Sequence, residues 1–100
     1  MTHRIVWQQT AQNDVDNLYD WIADQVGGET ADDYIGRIKT HVEKLADLPG
    51  WGAPREELGA GVQTITFRRR TVIAYLVEDE TVKILSVFHG GRALQGPFKE

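Results

Sequence analysis

Phe67–Arg92 reads FRRRTVIAYLVEDETVKILSVFHGGR, and its patterning decides the fold. Two runs within it, Thr71–Val77 and Val82–Phe88, are filled by Val, Ile, Thr, Tyr and Phe on either side of the acidic turn Glu78-Asp79-Glu80. Branched and aromatic side chains suit a pleated, packed surface better than a helix, so the runs are predicted as adjacent strands. The second run, VKILSVF, is apolar at nearly every position rather than at alternate ones. A strand of that kind is covered on both faces, which places it inside the sheet. In the first run Val72, Ala74 and Leu76 alternate with Ile73, Tyr75 and Val77, so this strand is also apolar on both sides. Arg68, Arg69 and Arg70 enter the hairpin, and His89 and Arg92 leave it. Polar function on the sheet is therefore expected at those two ends.

Working outward, Val62–Phe67 is a third strand that runs into the arginines. Before it lies PGWGAPREELGAG, Pro49–Gly61, a glycine- and proline-rich connector that is long for a small domain. Further upstream, Ala31, Ile35, Ile38, Val42 and Leu45 mark the buried side of a helix starting near Thr30 and stopped by Pro49-Gly50. Ala11, Val15, Leu18, Ile22 and Val26 form the stripe of an earlier helix, with Thr10 at its N-cap and Gly27-Gly28 at its end. Asp14, Asp16, Asp20 and Asp24 are assigned to the solvated side of that helix. With about three residues between them, the helices must form an antiparallel hairpin. Arg4–Gln8 is a short first strand with Ile5 and Trp7 on one face. The order is strand, helix, helix, three strands. It defines an α+β fold with the helical hairpin on one face of a small, mainly antiparallel sheet.

The bulk properties narrow the function. One hundred residues make one domain, spanning 1–100, and 41% hydrophobic content suffices for a packed core. The absence of cysteine excludes disulfides and cysteine-based zinc sites. Neither a signal peptide nor a membrane span is visible, so a cytoplasmic location is expected. A net charge of −4 argues against gripping nucleic acid by bulk electrostatics, although the Arg68–Arg92 region is locally basic.

The residues also resemble the RelE/ParE superfamily of bacterial toxins from type II toxin–antitoxin pairs. The likeness rests on Ala31-Asp32-Asp33-Tyr34-Ile35, on Leu48-Pro49 and on Gly52-x-x-Arg55. It continues through Val72-Ile73-x-Tyr75 and Val82-x-Ile84-Leu85-x-Val87-x-His89-Gly90-x-Arg92, covering roughly Ile5 to Leu94. The ending His89-Gly90-Gly91-Arg92 is similar to that of ParE-like chains. The resemblance implies a toxin neutralised by a cognate antitoxin and, for the ParE branch, one that binds DNA gyrase and blocks replication. Nucleic acid would then be met only indirectly, through gyrase or the antitoxin, and no cofactor or metal is expected. RelE-like members instead cut mRNA on the ribosome, and a non-toxic partner-binding or autorepressor module is a third alternative.

Arg55, Arg68, Arg69, Arg70, Tyr75, His89 and Arg92 are the candidate contacts to target or antitoxin. No catalytic residue is assigned under the gyrase reading. Under the nuclease alternative His89 would be the base, with Arg55, Arg68, Arg69, Arg70 and Arg92 as phosphate clamps. No tyrosine follows the last strand, which weakens that alternative. His89 has a plainer role available, as a strand-end imidazole hydrogen-bonded within the fold. Arg68–Arg70 is read as strand, so Arg68 and Arg70 face one way and Arg69 the other. Each is either a solvated edge charge or a guanidinium offered to an acidic or phosphate surface. Trp51 is expected to plug the end of the helical pair. The apolar far face of the sheet is expected to take an amphipathic antitoxin segment, with the tail Ala93–Phe98 or a second copy as alternatives.

Overall fold

The structure is a computed structural model and describes residues 2–90. Strand β1 is Arg4–Trp7, helix α1 Gln9–Val26 and helix α2 Gly28–Glu43; strands β2 to β5 are Ala53–Pro54, Gln63–Phe67, Thr71–Glu78 and Thr81–His89. They form one five-stranded sheet in the order β1-β5-β4-β3-β2. All neighbours are antiparallel except β1 and β5, which run parallel with Trp7 opposite Ile84. The hairpin β4–β5 is thus interior, as its two-sided apolar pattern requires. Arg92 and the tail, 93–100, lie outside the described residues.

The helices pack on one face. Ala11, Val15, Leu18 and Ile22 of α1 and Ala31, Ile35, Ile38 and Val42 of α2 meet Ile65, Ile73, Tyr75, Val82, Ile84 and Val87 of the sheet. A smaller cluster on the other face joins Leu58, Val62, Ala74 and Leu85, with Leu76 against it. The connector therefore folds back over part of the far face, through a 3₁₀ turn at Glu56–Leu58. Val72 and Leu76 remain partly exposed beside that cover.

Several local expectations are corrected. Only Gly27 separates the helices, at φ +102°, a backbone conformation open to glycine. Thr10 lies inside α1 rather than capping it; Gln8, extended at the end of β1, holds the N-cap position without a side-chain bond. α2 gives way after Glu43 to a 3₁₀ turn, Lys44–Ala46, which buries Leu45 and leaves Leu48 exposed. The turn between β4 and β5 is two residues long, because Glu78 pairs with Thr81. β2 is an addition to the expected strands. It is two residues of the connector, one a proline, and such a segment has no alternating pattern to read.

A β-bulge interrupts β4–β5, where Tyr75 pairs with Ile84 but Ala74 pairs with Ser86. The extra residue, Leu85, turns to the far face and restores Val87 to the helix face. This shift aims the end of β5, including His89, at the helices.

Candidate functional site: the hairpin tip and the α1–β5 groove

The arginine run is a turn, not a strand. Phe67 pairs with Thr71, and between them Arg68 and Arg69 both have positive φ, 53° and 64°. Positive φ at both central positions matches the right-handed twist of the flanking strands, and Asn-Gly would normally supply it. Arginine there stores about 1–2 kcal/mol per residue of backbone strain. All three arginines are exposed. No carboxylate among the described residues pairs with them, whereas Arg37 holds Asp33 at 2.8 Å and Arg55 holds Glu57 at 2.6 Å. The Arg68 guanidinium instead lies over the Phe67 and Tyr34 rings, 5.2 and 5.9 Å from their centroids.

Those rings belong to a row that crosses this end of the molecule. Trp21 meets His89 at 5.5 Å, His89 meets Tyr34 at 5.7 Å and Tyr34 meets Phe67 at 5.4 Å between centroids. Phe67 then meets His41 at 5.3 Å, and His41 meets Trp51 at 5.0 Å. The terminal tryptophans are half exposed, Trp21 at 52% and Trp51 at 45%. Trp51 is therefore a partly open end of the row rather than a buried plug, because His41 and Phe67 already fill the space beneath it. Helical spacing brings Tyr34 and His41, two turns apart on α2, to the same row.

His89 is tied into the fold through a hydroxyl relay. Its Nδ1 lies 2.8 Å from Thr71 Oγ1, and the Tyr34 hydroxyl lies 2.8 Å from the same oxygen. Thr71 is fully buried and sits opposite His89 in the β4–β5 register. Burial, and secondarily the Arg70 charge, hold the imidazole below its ordinary pKa. Both causes favour the neutral ring, and Nε2 has no hydrogen-bond partner among the described residues. Thr71→Val keeps the volume but strands the Tyr34 hydroxyl and His89 Nδ1. It is expected to cost about 1–3 kcal/mol in urea unfolding and to loosen the His89 ring, seen as altered imidazole NMR shifts. An unchanged midpoint and unchanged shifts would show that the relay does not hold the ring.

Beside His89 a groove of about 460 Å³ runs between α1 and β5, lined by Asp14, Asn17, Leu18, Trp21, Arg70, Val87, His89 and Gly90. It exists because β1 ends opposite Ile84, so beyond that point β5 has no strand neighbour on this side among the described residues. Asp14 partly fills the gap. Its Oδ2 accepts from Ser86 Oγ at 2.6 Å and from the Val87 N–H at 2.9 Å. Asp14 is therefore not on the solvated face with Asp16, Asp20 and Asp24. It stands three residues after Ala11 and four before Leu18, on the margin of the buried stripe, and that spacing is the signal in the sequence. Trp21, seven residues on, flanks the same side of the stripe.

The remaining candidates are dispersed. Arg55 is tied down in the connector, its N–H donating to Val62 O at 2.8 Å and its guanidinium held by Glu57. Tyr75 is fully buried. Its hydroxyl donates to Pro49 O at 2.9 Å and accepts from the Gly52 N–H at 2.8 Å, so it clamps the connector to the sheet. Arg92 lies outside the described residues. The structure thus gathers Arg68, Arg69, Arg70 and His89 at one end and adds Trp21, Tyr34 and Asp14, which the sequence pattern assigns to packing or solvent. No cluster of three or more acidic or imidazole groups suited to a metal occurs among the described residues.

A helical hairpin on one face of a mixed five-stranded sheet, with the first strand parallel to the last, is the architecture of the RelE/ParE toxin superfamily. Residues 5–94 match the family model described as ParE toxin of type II toxin–antitoxin system, parDE. The chain belongs to this ParE toxin family. It is 29% identical over 87 residues to Toxin ParE1 of Caulobacter vibrioides, covering 86% of this chain and 91% of that protein. A chain of the chromosomal ParDE system from P. aeruginosa superposes with a TM-score of 0.78 at 26% identity, covering 89% of this chain and 97% of its own. The RelBE2 toxin–antitoxin complex from Mycobacterium tuberculosis shares the fold at a TM-score of 0.62 and 22% identity, over 89% of this chain and 99% of the other. Among the described residues, no helix is long and apolar enough to cross a membrane.

Proposed function

We propose that this protein is the toxin of a type II pair, that it binds DNA gyrase and blocks replication, and that a cognate antitoxin neutralises it. The match to the ParE family across residues 5–94 carries the reading. The site geometry agrees with action by binding. The Tyr34 hydroxyl reaches His89 only through Thr71, and the Asp14 oxygen that faces β5 is held by Ser86 and Val87. Both arrangements fix side chains in place rather than offer a matched acid and base. The antitoxin would cover Val72 and Leu76, the apolar far-face positions left partly open beside the connector.

One observation favours the nuclease as a second reading. An imidazole with its pKa lowered and with Nε2 unpartnered among the described residues, beside an arginine in a groove, is a usable base next to a phosphate clamp. Induction of this chain alone in a bacterial host, with pulse labelling of DNA and protein, separates the two. Early arrest of DNA synthesis with translation continuing is the expected result. Immediate arrest of translation would overturn the gyrase reading and support RNA cleavage by way of His89. Normal synthesis of both would leave the non-toxic binding module.

A further inference from the structure

We infer that the hairpin tip and the α1–β5 groove together form a binding site for single-stranded nucleic acid, with phosphates on Arg68, Arg69 and Arg70 and a base against Trp21. Three independent features point there. Two adjacent arginines occupy strained left-handed positions that glycine or asparagine would fill more easily, and retained strain marks a place where the side chains are needed. Arg68, Arg69 and Arg70 are all exposed and have no carboxylate partner among the described residues, in a chain of net charge −4. Three successive exposed cations with no carboxylate of the described residues on them give the tip a local positive potential open to an anionic partner.

The third feature separates a nucleotide from an acidic peptide. The groove beside Arg70 has one wall made by the half-exposed Trp21 indole. Its volume of about 460 Å³ admits a base with its sugar. Bases stack on an exposed aromatic face whatever their sequence, while arginines track the backbone phosphates. Asn17 and Asp14 line the groove beside the indole. The Asp14 Oδ1, which β5 does not use, is an acceptor suited to a base amino group. A glutamate-rich segment would satisfy the arginines but would gain nothing from the indole.

The site stands apart from the choice between gyrase and the ribosome as target. The test is titration of the purified chain with fluorescein-labelled octanucleotides of DNA and RNA, following anisotropy and tryptophan quenching. Three phosphate contacts give a log–log salt slope of about −2, so affinity should fall roughly fifteenfold between about 50 and 200 mM salt. Arg70→Ala and Arg68→Ala should each weaken binding by roughly tenfold. Trp21→Phe should remove most of the quenching. Arg37→Ala, on the outer side of α2, should change nothing. The arginines are exposed, so their alanine variants keep the native circular dichroism. Absence of binding, salt-independent binding, full binding by Arg70→Ala, or equal competition by poly-glutamate would each overturn the inference. A chain that binds the oligonucleotides yet leaves DNA synthesis intact keeps this inference and loses the gyrase reading. A chain that arrests DNA synthesis without binding them does the reverse.

Discussion

Asp14→Ala is expected to lower the free energy of unfolding by about 3 kcal/mol, read as a shifted urea midpoint with unchanged slope. The carboxylate stands where a longer β1 would have continued, accepting from Ser86 Oγ and the Val87 N–H through one oxygen. Ser86 is buried, so the alanine variant leaves a hydroxyl and a backbone donor without partners at the edge of an interior strand. Hydrogen bonds to a charged acceptor are worth about 1.5–3 kcal/mol each, and water entering the groove recovers part of the loss. Asp14→Asn keeps an acceptor of the same shape and should cost only about 1 kcal/mol. In an Asp14→Ala, Ser86→Ala double variant the second change should be nearly free, because the serine hydroxyl no longer has a partner to lose. An Asp14→Ala protein as stable as the parent would show that the edge closes by other means.

Gly52→Ala should be comparably damaging, by about 3 kcal/mol, for a steric reason. A Cβ at this position would lie 2.5 Å from the Tyr75 hydroxyl oxygen and 2.8 Å from the Thr64 carbonyl oxygen. Thr64 is held by pairing with both Ala53 and Ala74, so that carbonyl has nowhere to move. Tyr75 is fully buried, and burial keeps its hydroxyl protonated by raising its pKa. With the groups on either side fixed, the connector must lift off instead. Removing the hydroxyl with Tyr75→Phe should rescue Gly52→Ala only in part, since a ring carbon of Tyr75 also stands 2.8 Å from where the new Cβ would lie. Thermal unfolding of the two single variants and the double variant checks this. A Gly52→Ala protein within about 0.5 kcal/mol of the parent would refute the close approach.

The fold is legible in the residues because its two periodicities are strong. The stripes of α1 and α2 and the two-sided apolar pattern of β4 and β5 each follow from burial, and they survive local uncertainty. What escapes such a reading is set by partners distant in sequence. The spacing of Asp14 places it on the margin of the buried stripe, but nothing local to it tells that β1 stops short of Val87 and leaves donors there for it to accept from. Arg68–Arg70 reads as strand because three identical residues carry no turn signal, and the left-handed backbone of Arg68 and Arg69 is imposed by the pairing of Phe67 with Thr71. Trp51 belongs to a connector whose path depends on the Tyr75 clamp. In the site, His89 and the arginines are visible as chemistry, but the ring row joining them to Trp21 and Tyr34 draws on four separate elements and has no local pattern.

The place of β5 in the sheet has a bearing on how the protein comes into being. This strand lies between β1 and β4 and packs beneath α1, yet it is the last element of the described chain to be synthesised. Until Thr81–His89 leaves the ribosome, β1 has nothing to pair with and the stripe of α1 has only α2 to cover it. Before that the nascent chain can hold the helical hairpin and the β3–β4 pair, so the groove and the His89 relay arise only at the end of translation. A stop codon anywhere before Thr81 should therefore yield an inert fragment. A cell selecting against this protein would find escape mutations spread along most of the gene rather than gathered at the site.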